Sequence, residues 1–130
     1  MKILLDTHCW LWIASAPEHL TAESLALVRA TENDLFLSAA SAWEIAIKYS
    51  AGKLRLPLPP VDYVPTRMAT TRVAPLPVQH SHALHVTHLP PHHHDPFDRL
   101  LIAQAQVERL PILTADERFS AYDVEVIRAS

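Results

Sequence analysis

An α/β domain built around a mainly parallel sheet is predicted, on three observations. Short apolar runs without polar alternation recur at residues 2–5, 35–37, 73–77, 111–114 and 124–127, and such runs suit parallel strands buried on both faces. Segments with helical spacing fall between them, which is the alternation a parallel sheet needs. Finally, 130 residues, 49% apolar and 19% charged, suffice for one compact core. Residues 1–130 are therefore expected to form a single domain.

Taken in order, residues 2–5 form a first strand that stops at Asp6. Residues 7–14 and 21–31 follow as helices, separated by Pro17, with Thr21 and Ser24 offering hydroxyl caps. After the strand at 35–37, residues 38–50 read as an Ala-rich helix ending near Gly52, the single glycine, whose tolerance of the left-handed conformation suits a C-terminal cap. Residues 54–60 are proline-punctuated and extended, and 61–72 are helical in composition despite Pro65. A strand at 73–77 and a short helix at 78–86 precede a loop rich in His and Pro at 87–94. Asp95-Pro96 then opens a helix, Asp95 as cap and Pro96 at the first helical position. Two last strands, 111–114 and 124–127, complete the pattern.

Composition excludes several classes. The one cysteine, Cys9, cannot form an intramolecular disulfide and belongs to no CxxC pair, so a reducing compartment, the cytoplasm, is expected. Asp6 interrupts the first apolar run too early for a signal-peptide core, and no stretch approaches the ~20 apolar residues of a membrane span. A net charge of -3 argues against coating nucleic acid by bulk electrostatics. Yet Lys48, Lys53, Arg55, Arg67 and Arg72 form a basic island, readable as a phosphate-holding patch or as a solvated positive face.

In parallel α/β sheets ligands bind outside the carboxyl ends of the strands. Asp6 ends the first strand and Asp116 follows Thr114 at the end of another; Glu44 lies about two turns into the helix after the second strand and Asp98 in the first turn of the Asp95-Pro96 helix, and helix starts in such folds face the same edge. Two such charges ~4 Å apart repel by about 4 kcal/mol at an effective dielectric near 20, so a gathered cluster needs a counter-charge. Protonation supplies one and Mg²⁺ or Mn²⁺ another, since hard cations prefer oxygen ligands. With no Ser, Cys or Lys motif for covalent catalysis, such a cluster points to metal-assisted phosphodiester hydrolysis. Each acid also has a local reading. Asp6, Asp95 and Asp116 can cap the helical turns they precede, Asp98 can complete the Asp95 cap, and Ser41-Ala42-Trp43-Glu44 fits a capping box.

Four runs carry a resemblance: Leu4-Leu5-Asp6-Thr7-His8, Ser38-Ala39-Ala40-Ser41-Ala42-Trp43-Glu44-Ile45, Asp95-Pro96-Phe97-Asp98-Arg99-Leu100-Leu101-Ile102-Ala103-Gln104-Ala105 and Leu113-Thr114-Ala115-Asp116. In order and spacing across nearly the whole chain they resemble the PIN-domain nucleases, in particular the VapC-type toxins of bacterial toxin-antitoxin pairs. The resemblance implies a three-layer α/β/α domain and Mg²⁺- or Mn²⁺-dependent ribonuclease activity, with Asp6, Glu44, Asp98 and Asp116 as catalytic metal ligands. It also implies support from Thr7 or Ser38, with Asp95 beside them, a homodimer, and a cognate antitoxin whose tail lies in a groove by the site. Trp10, Trp12 and Trp43 are candidates to line that groove, although core packing is expected for at least two of them. The dense histidines at 80–94 fit the likeness less well. A solvent-facing polar loop is the expectation for them, with Zn²⁺ or Ni²⁺ binding, or an approach of His94 to the acidic edge, as the alternative.

Two other functions compete with an RNA-cleaving toxin. Asp6 could accept a phosphoryl group at its strand end, although His8 stands where phosphotransferases of that kind carry a second aspartate. A non-catalytic module that binds RNA or protein on the same fold is the other.

Overall fold

Five short strands set the architecture, the pair at residues 2–5 and 112–114 buried apart from Lys2 and the edge strands partly open to water. The computed structural model describes residues 1–130. It contains β1 (Lys2–Leu5), α1 (Thr7–Ser15), α2 (Ala22–Arg29), β2 (Asp34–Ser38), α3 (Ala39–Ser50), α4 (Pro60–Thr71), β3 (Val73–Leu76), α5 (His80–His85), α6 (Pro96–Glu108), β4 (Ile112–Thr114) and β5 (Val126–Arg128), with single 3₁₀ turns at Pro17–His19, Val86–His88 and Glu117–Ala121. All strands are parallel, in the order β3-β2-β1-β4-β5. Strand order therefore reverses at β1, and the crevice beyond the ends of β1 and β4 is the switch point where α/β sheets bind ligands.

Side-chain alternation along β1 divides the core. Ile3 and Leu5 join Trp10, Val28, Ile45 and Tyr63 on one face, whereas Leu4 meets Leu101, Ile102, Ala105 and Phe119 on the other. Helices thus cover both faces of the sheet, giving the three-layer α/β/α arrangement. No helix is long and apolar enough to cross a membrane.

Local chemistry explains the boundaries. Thr21 caps α2 by accepting from Ser24 N–H at 3.0 Å, and Ser38 caps α3 by accepting from Ala40 N–H at 3.0 Å. Gly52, at φ 72°, ends α3 as expected: its N–H donates to Tyr49 O, and Lys53 N–H donates back to Lys48 O. Pro65 sits inside α4 on an exposed position, where water can satisfy the carbonyl that proline leaves unbonded. Arg72 and Arg109 adopt left-handed φ of 56° and 55° at the ends of α4 and α6, a role for which composition offered no glycine.

Candidate active site

Register builds the site. Leu5 lies opposite Leu113 and Asp6 N–H continues the ladder to Leu113 O at 3.0 Å, so Asp6 arrives beside Thr114. The Thr114 hydroxyl donates to Asp6 Oδ2 at 2.7 Å and accepts from Asp116 N–H at 3.0 Å. Asp6 is buried and, although first before α1, makes no side-chain capping bond to it. The capping reading of Asp6 is thereby corrected: β4 claims the carboxylate before α1 can.

Glu44 is not in a capping box either. Ser38, not Ser41, starts α3, so Glu44 lies inside the helix. Ser41 instead accepts from the Thr7 hydroxyl at 2.7 Å in the buried seam between α1 and α3. Glu44 is 3% exposed; its Oε2 pairs with Lys48 Nζ and its Oε1 is buried without a partner. An orphaned carboxylate oxygen at that depth demands a cationic or protic partner.

Asp95 does cap α6, accepting from Phe97 N–H at 2.8 Å and Asp98 N–H at 3.1 Å. That frees the Asp98 side chain, whose Oδ2 meets His93 Nε2 at 2.8 Å. Asp116 caps the turn Glu117–Ala121 through Arg118 N–H at 2.9 Å, and the Arg118 guanidinium engages both of its oxygens. All four acids, with Asp95, His8, Trp12, Lys48 and Arg118, line one cleft of ≈ 370 Å³.

The electrostatics follow from that convergence. Burial pushes the Asp98 carboxyl up to about 8, and the charges of Asp6, Asp95, Glu44 and Asp116 add to it. Burial also raises Asp6, opposed by the Thr114 hydrogen bond and reinforced by Glu44. Asp116 moves the other way, held below the usual carboxylate range by Arg118. Lys48 is raised, first by its hydrogen bond to Glu44. One oxygen of each of Asp6, Glu44 and Asp98 is thus tied to the protein and its twin left over, in a pocket where burial first and neighbouring carboxylates second keep Asp98 protonated up to about 8. A set of hard oxygen donors in that condition fits a divalent cation such as Mg²⁺ or Mn²⁺.

The family model of the PIN domain matches residues 3–125. The chain belongs to the PIN-domain family. This PIN domain is 51% identical over 63 residues to "Ribonuclease VapC16" of Mycobacterium tuberculosis, a match that spans 48% of this chain and 45% of the relative. Among solved structures it is similar to VapBC2 from Rickettsia felis bound to a promoter DNA fragment (TM-score 0.76, 14% identity, 100% of both chains). DNA-bound VapBC from Salmonella typhimurium is also similar (TM-score 0.66, 20% identity, 98% of both chains), as is FitAcB from Neisseria gonorrhoeae (TM-score 0.61, 21% identity, 97% of this chain and 96% of that one). At such identities the structural likeness speaks for the fold.

The remaining sequence expectations divide. Thr7 and Ser38 commit their hydroxyls to Ser41 and to the α3 cap, and neither hydrogen-bonds a carboxylate. The basic island splits: Lys48 and Lys53 line a hollow of ≈ 260 Å³ continuing from the acids, whereas Arg67 lies over the Tyr63 ring and Arg72 bonds Arg29 O near the opposite edge of the sheet. Only Trp10 of the three tryptophans is buried; Trp12 lines the cleft, and Trp43 is 61% exposed, edge-on to Phe97. The expectation that two would be core fails because α3 turns Ile45, not Trp43, inward. The solvent-facing expectation for the histidines holds at His80, His88, His92 and His94 and fails at two positions. His82 is buried against Glu108, and His93, rather than His94, reaches the acids. Thr114 was missed because only the register with β1 reveals its partner.

Proposed function

We propose that this PIN domain is a divalent-metal-dependent endoribonuclease, the toxin of a toxin-antitoxin pair. The observation that carries the reading is that Asp6, Glu44, Asp98 and Asp116 line one cleft, one oxygen of each of the first three held by the protein, with Glu44 Oε1 buried and unpartnered. Those three would hold Mg²⁺ or Mn²⁺, with Asp116 joining on release from Arg118. When bound, the cation acidifies a water, orients a phosphodiester and offsets charge on the leaving oxygen. The chain's own part is to bring the ligands together and keep them dry on the sheet side, through Thr114, Ile45 and the α6 cap. Lys48 and Lys53 flank the acids along the continuing hollow, where their charges suit the phosphates of a single strand.

The name of the ribonuclease relative supports RNA as substrate. The toxin-antitoxin complexes among the structural neighbours support an antitoxin partner, a segment of which would lie along the cleft. Trp43 and Ile47, exposed on one face of α3, suit a homodimer contact. A cytoplasmic setting, with residues 1–130 folding as one nuclease domain, completes the reading.

The test is cleavage of single-stranded RNA by the purified chain with Mn²⁺ or Mg²⁺, with and without EDTA, for wild type and for Asp6→Asn and Asp98→Asn. Both variants should keep the fold by circular dichroism and lose at least about 10²-fold in rate. An Asp6→Asn protein that cuts as fast as wild type would overturn the proposal. So would a folded wild type that cuts nothing, which would favour a binding module.

A further inference from the structure

Histidines in proline-rich loops are ordinarily wet, and His92 and His94 are exposed; His93 between them is 2% exposed. Two side chains from outside the loop hold it there. Tyr122 accepts from His93 N–H and donates to Pro90 O, both at 2.8 Å. Arg99 donates to the carbonyls of Val86, Leu89, Pro90 and His93 at 3.0 to 3.3 Å. The ring packs edge-on against Phe119 at 6.0 Å.

The hydrogen bonds on the ring decide what it can do. Asp95 N–H donates to His93 Nδ1 at 3.3 Å. A neutral imidazole has one acceptor and one donor nitrogen, so an amide at Nδ1 fixes the proton on Nε2. That nitrogen lies 2.8 Å from Asp98 Oδ2 and 3.5 Å from Asp116 Oδ2. The three groups are spaced closely enough to hold an ion, but a protonated Nε2 has no lone pair to give one. It is a donor aimed at two carboxylates.

We propose that His93 is a positioning residue for the metal centre: its Nε2–H holds Asp98 Oδ2 beside Asp116 and so fixes which Asp98 oxygen is presented to the cation. The inference rests on the metal reading proposed above. Donors behind ligating carboxylates orient them and hold their separation before the ion arrives, and losing one typically costs about 10- to 100-fold in metal affinity.

The test is Mn²⁺ binding to the full chain, without RNA, by isothermal titration calorimetry. His93→Phe keeps a ring against Phe119 and both backbone anchors but removes the donor; its Mn²⁺ affinity should fall about 10- to 100-fold. His93→Gln carries an amide N–H where Nε2 lies and should recover most of that loss, whereas His93→Asn, too short to reach Asp98, should not. A folded His93→Phe with wild-type affinity, or a His93→Gln as weak as His93→Asn, would overturn the inference. Should His93→Phe fail to fold, the Gln and Asn pair decides alone. Asp98→Asn separates the two failures. If it too binds Mn²⁺ like wild type, the metal reading falls and this inference with it; if it loses binding while His93→Phe does not, only the role of His93 falls.

Discussion

Asp98 sets a competition between a proton and a metal ion whose size follows from the site. Burial first, and then Asp6, Asp95, Glu44 and Asp116, push its carboxyl up to about 8. At pH 6, two units lower, only about 1% of it is ionised, and a cation needing the anion must displace the proton. Apparent Mn²⁺ affinity should therefore rise about 50-fold from pH 6 to 8, steepest near pH 6 at about tenfold per unit, and gain only a last factor of about two above, close to 100-fold or about 2.7 kcal/mol in all. The metal-free protein should trend oppositely. A carboxyl whose folded pKa exceeds its unfolded 3.8 contributes stability that is fully present below 3.8 and is lost as pH rises through about 8. Asp116, lowered by Arg118, works in the acid range instead: its contribution is present above the unfolded value and lost as pH falls through the folded one. Titrations of Mn²⁺ at pH 6.5 in two buffers of different ionisation enthalpy count the protons released per ion, and the expected number is near one. Mn²⁺ affinity that stays constant from pH 6 to 8, with no net proton release, would refute the argument that the carboxylates are held together against their own repulsion.

Two further perturbations probe the scaffold. Thr114→Val keeps the shape of the side chain but removes the donor to Asp6 and the acceptor of the Asp116 amide; urea unfolding should show a loss of about 1–3 kcal/mol, with Thr114→Ser close to wild type. Arg99→Ala removes the guanidinium that ties down the carbonyls of Val86, Leu89, Pro90 and His93. Amide hydrogen exchange should quicken across residues 86–95, while β1 and β4 keep their protection.

How much of this is legible in the sequence depends on whether the determining contact is local. The strands were readable because burial on both faces leaves no room for polar alternation: β1 to β5 fall within two residues of the apolar runs that predicted them. The start of α6 was readable because Asp95-Pro96 contains its own cap and its own φ restriction. Glu44 was ambiguous for the same reason in reverse. Ser38 and Ser41 are both competent caps, and only the end of β2 at Ser38 decides that α3 begins three residues before the capping-box reading would start it. The partner of Thr114 lies 108 positions away and is set by register, which no local pattern encodes. His93 and His94 differ by one position in a loop whose path depends on Arg99 and Tyr122.

These non-local contacts share one consequence. Thr114 binds one oxygen of Asp6, Lys48 one of Glu44 and His93 one of Asp98, and each of these partners is a donor from a different element. Three separate donors orient three carboxylates without neutralising the cluster, since two of the three are formally neutral groups and the third, Lys48, is shared with solvent at 37% side-chain exposure. Had the sequence supplied an arginine at each position, as it does for Asp116, bidentate pairs would engage both oxygens of every acid and offset the negative charge that attracts a cation. The choice of threonine, lysine and histidine over arginine therefore accounts for both features of the site at once, the pre-set geometry and the unmet negative charge.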